Sequence, residues 1–421
     1  METIVKKDTS KDKLIAGYET VKATLFGDAA LRDAAIASFA SQGIPNRKSE
    51  EYKYVNVEAV LKEAFAASGS GTAAADKFLS NAITVVVENG IVSEVPKELP
   101  KGFTVCSIAE ASKKYSSVFT KHYAKYADVN SDPFVALNTA LSADGVFVHV
   151  EKSAVIEKPL HIIHVSSAAA AVLNSRNLIV IEENAQAAIV ESYSVNGKAF
   201  QNMLTEIFIG ANANADHYKI QEAGNASPLL STTQTYQAKQ SVFSTHTFTL
   251  SGAWVRNNLT MVLDDEHIES HLNGLYLTND SQVVDNHTLV DHRKPNCNSN
   301  ELYKGIIDER SSATFNGKIF VRKDAQKTNA FQSNKNILLS DDGTINTKPQ
   351  LEIYADDVKC SHGTSTGKLD EDKIFYLRAR GLSEASAKKL LMHAFASEVV
   401  NTIKIEELKS YVEGRISKRF E

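Results

Sequence analysis

The apolar runs between residues 259 and 355 constrain this chain more than any other feature. They begin at Leu259, Leu275, Leu289, Ile306, Ile319, Ile337 and Leu351. Neighbouring starts fall irregularly, but alternate starts are 30, 31, 30, 31 and 32 residues apart. Such a period, with two strands in each repeat, describes a coil in which every strand stacks on the one two places later. Two parallel sheets then face each other. A sandwich of uniform hairpins is the alternative. It would place Asn-Gly or Asp-Gly between most neighbouring strands, for which Asn316-Gly317 and Asp342-Gly343 are two candidates. The predicted fold is mainly β: a parallel β-helix core flanked by N-terminal and C-terminal helical domains.

The flanks read differently. Leu31, Ala35 and Phe39 recur at helical spacing, and Gly43-Ile44-Pro45 ends the run. The small-residue stretch Ala66 to Ala75 is a candidate linker. Ile83 to Val87 predicts a strand, and Ala109 to Ala127 and Pro133 to Ala143 predict helices. Short apolar runs with polar turns follow from Gly145, as in VFVHV (Val146 to Val150) and NLIVIEE (Asn177 to Glu183). After Lys368 the pattern turns helical again, with Asp370 to Asp372 at a helix start and stripes through Leu391, Phe395, Val399 and Leu408, Val412, Ile416. The expected division is an N-terminal helical domain (1–75), a mixed α/β connection (76–144), the β-helix (145–362) and a C-terminal helical domain (363–421) able to cap the open rung.

At 421 residues the chain exceeds one small core. A net charge of −5 gives no reason to expect nucleic acid or an anionic membrane as partner. No apolar run is long enough for a membrane span. The N-terminal residues lack a signal-peptide core, and three dispersed cysteines suggest no disulfide framework, so a cytoplasmic location is expected.

Several groups of residues could carry chemistry. His267 and His271 are spaced as a helical metal pair, but their surroundings are strand-like, which would hold them about 13 Å apart. A structural role in a polar turn or inner ladder is the better reading. His287, Asp291, His292 and Cys297 match no metal spacing and read as hydrogen-bonded ladder residues. The acidic pairs at Asp264, Asp341 and Asp356 would suit a carbohydrate-active β-helix enzyme only if they converged on one cleft. Neither a P-loop nor GxGxxG is present, so any ATP use falls to another chain. There remains DDVKCSHGTSTGKLD, Asp356 to Asp370. On a strand Cys360 and His362 share a face. They are ligands of the kind that iron–sulfur and zinc chemistry use, and two of them do not complete a site. A buried thiol beside a helix-capping His is the structural alternative. The chain is expected to turn at Gly363 to Gly367 and enter the helices.

These residues also carry a resemblance. LYKGIIDERSSATFNGKIFV (Leu302 to Val321), AQKTNAFQSNKNILLS (Ala325 to Ser340), KPQLEIYADDVKCSHG (Lys348 to Gly363) and LDEDKIFYLRARGL (Leu369 to Leu382) resemble the SufB/SufD family of iron–sulfur cluster assembly scaffolds, its SufD branch more than its SufB branch. RKSEEYKYV (Arg47 to Val55) resembles the family's N-terminal signature, with Tyr52 replacing the usual Trp and Val55 the usual Thr. GTSTG (Gly363 to Gly367) departs from the family's usual Gly-Ala-Thr-Val-Gly. The resemblance implies a non-enzymatic scaffold that pairs with SufB at the solenoid ends. It also implies docking of the ATPase SufC on the C-terminal helices, and His362 as a ligand to a transient iron–sulfur cluster at the shared interface. Cys360 is the secondary candidate. The cluster is not expected to stay bound to the isolated chain, and a self-paired homodimer is an alternative state.

Overall fold

The computed structural model describes residues 9–66, 74–166, 172–195, 199–224 and 227–419. Most of the candidate linker, 67–73, lies outside them.

Three helices open the chain: α1 (Ser10–Val21), α2 (Ala29–Gln42) and α3 (Val57–Ala66). Helix α2 starts where the Asp28 carboxylate accepts from Ala30 N at 2.9 Å, and ends where Gly43 takes φ 72°. A connecting region follows: β1 (Ile83–Glu88), β2 (Ile91–Glu94), β3 (Phe103–Ser107), α4 (Ile108–Lys114), α5 (Ser116–His122) and α6 (Pro133–Leu141). Asp132 caps α6, and Pro133 fills its first position, where no N–H is needed.

The solenoid then runs from β4 (Val146–Val150), β5 (Leu160–Ser166), β6 (Val172–Ile181) and β7 (Gln186–Val195) to β8 (Phe200–Ile209), β9 (Asn214–Ala223) and β10 (Pro228–Gln237). It continues through β11 (Val242–Ser251), β12 (Trp254–Leu263), β13 (Glu269–Thr278), β14 (Val283–His292) and β15 (Asn298–Ile307). Its last strands are β16 (Ser312–Val321), β17 (Asn329–Leu338), β18 (Thr344–Ile353) and β19 (Lys359–Gly367). Odd-numbered strands other than β3 build a ten-stranded sheet together with β2, and even-numbered strands from β4 build a nine-stranded sheet together with β3. Every pairing from β4 and β5 onward is between strand n and strand n+2, in parallel. This is the two-sheet parallel solenoid that the period implies.

The register refines that period. Ile306 pairs with Ile337 and Ile319 with Leu351, as the spacing of apolar starts suggests. Leu259, however, lies opposite Thr288, and Leu275 opposite Lys304. The earlier turns are shorter, and apolar residues occupy both faces of their strands, so the run starts mix inward and outward positions. A better marker of the coil is a corner. Asn184, Asn212, Gln240, His267, Asn296 and Lys327 all take φ between 56° and 61° at one position of successive turns. The Asn184, Asn212, Gln240, Asn296 and Lys327 amides donate to the carbonyl just before the same corner one turn on.

The helices attach to opposite outer faces. Phe200, Leu230 and Trp254 on the nine-stranded sheet pack with α1, α2, α3 and α6. Leu250, Leu275, Leu277 and Ile306 on the ten-stranded sheet pack with α8 (Glu384–Val400) and α9 (Glu406–Arg419). Helix α7 (Glu371–Ala379) buries no residue of its own.

Two expectations are corrected here. The C-terminal helices do not cap the last rung; their apolar stripes have a larger apolar surface to cover on the side of the sheet. Nor does the chain turn at Gly363 to Gly367. These residues continue β19 opposite Ser333 to Ile337, because the ladder of β17 offers them backbone partners.

Candidate functional site

β19 and β18 are the last strands of their sheets, and among the described residues nothing pairs with their outer edges. Lys359 N donates to Thr328 O at 2.8 Å, toward β17. Strand alternation then aims the amides of Cys360, His362, Thr364 and Thr366 away from β17 as an unbroken row. On β18, Thr344 N and Tyr354 N donate to β16, so odd-numbered residues face the free edge. Pro349 is one of these, which is where an edge strand tolerates a residue without N–H. It interrupts the β18 edge, leaving β19 the fuller template for another strand.

Cys360 and His362 lie opposite Ala330 and Gln332, on the side that faces the solenoid interior. Cys360 is half-buried beside Ile319, Val321, Ala325 and Leu351. Burial pushes its thiol up, against a backbone hydrogen bond involving Ala330. It is therefore held as the thiol at neutral pH, a poor ligand until its surroundings change. His362 is exposed. Among the described residues no cluster of three or more His, Cys, Asp or Glu could hold a metal ion. The pair lies at the open end of the solenoid. Burial pushes the other two thiols further, Cys106 to about 12 and Cys297 to about 11.

The other candidates do not converge. His267 is a left-handed corner residue, while His271 lies on β13 with Nε2 2.8 Å from Glu269. His287 sits between Glu51 and Asp285, Asp291 accepts from Arg293 and Arg322, and His292 Nε2 lies 2.9 Å from Ser299 Oγ. Cys297 donates to Asp265 O. Asp264 accepts from Tyr236 and Asp341 from Lys368, and the two stand apart.

The segment Arg47 to Val55 is a clamp. The Tyr52 hydroxyl donates to Asp132 at 2.6 Å, Arg256 lies 4.0 Å over its ring, and Arg256 Nη1 donates to Glu51 O. Tyr at this position thus ties the helical domain to both α6 and the sheet.

Two residues beside the site escaped sequence reasoning. Glu301, Gln332 and His362 occupy one inward position on β15, β17 and β19. Subtracting one period from His362, and then another, would have found them.

The fold is a two-sheet parallel solenoid whose last strands carry Cys360 and His362 at an edge left free among the described residues. The sequence profile of the SufBD core domain of the SUF iron–sulfur cluster assembly system matches residues 163–395, and that of the SufBD N-terminal region matches 21–162. The chain belongs to the SufBD family. It is 31% identical to an iron–sulfur cluster assembly SufBD family protein of Synechocystis, over 92% of this chain and 90% of the relative. It is 29% identical to the iron–sulfur cluster assembly protein SufD of Escherichia coli, over 90% and 89%, and 27% to SufD of Bacillus subtilis, over 76% and 74%. Among the described residues no helix is long and apolar enough to cross a membrane.

Proposed function

We propose that the chain is a scaffold subunit that works as SufD does in iron–sulfur cluster assembly, without chemistry of its own. It pairs through its open solenoid end with a SufB subunit, and a nascent cluster forms as cargo at the shared interface. His362 is its ligand, with Cys360 secondary. The observation that carries this reading is the incomplete ligand pair on the inward face of an unpaired edge strand. A partner strand added to β19 would satisfy the outward amides and bring further ligands to the same rung. A neutral imidazole suits a transient site, because it holds iron less firmly than thiolate does.

The C-terminal helices dock the ATPase SufC. In support, α8 and α9 are anchored on the sheet while α7 presents Phe375 and Tyr376 at 75% and 56% exposure. ATP-driven movement of α7 would pull directly on β19, since three residues separate them. When SufB is absent, the same edge suits a second copy of this chain.

Co-expression with SufB and SufC tests the proposal. His362→Ala should assemble at unchanged stoichiometry but fail to mature client proteins. Normal maturation would remove the ligand role. Phe375→Asp with Tyr376→Asp should lose the ATPase and keep the SufB pairing; retention of the ATPase would place its dock elsewhere.

A further inference from the structure

Glu301 and Gln332 are 4% and 3% exposed. The Gln332 amide donates to Glu301 Oε2 at 2.7 Å. This bond turns the Gln332 NH2 toward β15 and leaves its oxygen for the other neighbour in the register, which is β19. That oxygen is buried without a hydrogen-bond partner. Residues at one register position on adjacent parallel strands stand about 4.8 Å apart, and the residue at the next position is His362. The facing strand makes room for the arrangement: a Cβ on Gly317 would come within 2.4 Å of Gln332 Nε2. A buried, unpaired acceptor is costly and calls for a donor. A neutral imidazole has one N–H to give. Metal-ligating histidines characteristically donate the N–H of the non-ligating nitrogen to a carbonyl or carboxylate.

We infer that Glu301 and Gln332 are positioning residues for His362: Gln332 Oε1 accepts one ring N–H, Glu301 fixes the orientation of the Gln332 amide, and the opposite ring nitrogen is left as the free lone pair facing the open end. The inference deepens the ligand reading of His362 but is read out without any cluster. The full chain with 15N-labelled histidine shows the His362 tautomer directly, at a pH of about 8.5 where an ordinary imidazole is neutral. The His362→Gln spectrum supplies the assignment.

In the unsubstituted chain one tautomer should dominate. Gln332→Leu should shift the ratio about tenfold toward that of a free imidazole, the effect of one ordinary hydrogen bond. Glu301→Leu should shift it in the same direction, and Gln332→Glu, which keeps an acceptor, should restore the bias. Melting temperatures identify any variant that fails to fold, in which case Gln332→Met takes the place of Gln332→Leu. A free-imidazole ratio in the unsubstituted chain, or no change in Gln332→Leu, overturns the inference. The two readings can fail separately. Loss of client maturation in His362→Ala with an unmoved tautomer keeps the ligand and rejects the ladder; a moved tautomer with normal maturation does the reverse.

Discussion

The first and last turns of the solenoid share their strand geometry but treat their edges in opposite ways. At the first turn β2 pairs antiparallel with β1, and β3 pairs antiparallel with β4. A reversed strand ends the coil, and α4 and α5 then cover the nine-stranded sheet there, with Ile108, Ala111 and Phe119 on Phe147, Leu178 and Val180. At the last turn β18 and β19 have neither a reversed strand nor a helix on their outer edges among the described residues. Free edges invite uncontrolled pairing, and proteins normally cover or blunt them. Here Pro349 blunts one edge while the other stays a continuous row of amides. One end of the coil is therefore closed by the chain itself, and the other, among the described residues, is not.

The largest expected contrast is in packing. Ile179 is fully buried in the early solenoid, and Ile179→Ala should cost about 2–5 kcal/mol. Leu351 faces the open end half-buried, so Leu351→Ala should cost well under half as much in the isolated chain. Urea midpoints measure both, and equal losses would mean that the last turn is as well packed as the first.

Next comes pH, because the lumen buries a carboxylate toward each end with opposite outcomes. Burial alone would raise Glu191, but His217, His164 and Lys219 outweigh it and hold the carboxyl well below its ordinary value. Its stabilising contribution is present above the unfolded value of 4.5 and is lost as pH falls through the folded one. Burial pushes Glu301 up to about 7, with only the Thr288 and Gln332 hydrogen bonds opposing it. Stability should therefore decline between pH 4.5 and about 7, by on the order of 3 kcal/mol, then level off. Glu301→Gln should flatten that decline, and Glu191→Gln should leave it unchanged. Melting temperatures across that range decide; a decline that survives Glu301→Gln would assign it to another group.

The smallest effect on stability, and the most selective, is expected at the edge. Thr364→Pro removes an amide that faces away from β17, so the isolated chain should melt within a few degrees of the unsubstituted one. Pairing through β19, with SufB or with itself, should be lost. Light scattering and co-purification check this, and retained pairing would move the interface off β19.

Much of the fold was legible before any coordinates. Two strands per period implies n to n+2 stacking because a coil must return each strand to the same sheet, and β4 begins and ends where the apolar run does. Cys360 and His362 share a face because strand periodicity is 2. The corners were less legible. A left-handed position filled by Asn, Gln, His and Lys has no single residue signature, which is how His267 came to look like half of a metal pair. The ladder of Glu301, Gln332 and His362 was hidden because its members are about thirty residues apart and differ in type.

The architecture, the family and the two candidate ligands were written in local spacing or in short contiguous motifs, and so could be read from the chain alone. Packing of the whole molecule set the C-terminal helices on the side of the solenoid, ran β19 through Gly367, and left its edge free among the described residues. Those outcomes depend on which apolar surfaces and backbone groups compete for cover once all the turns are stacked. That competition is settled between residues far apart in the chain, where local pattern carries no information.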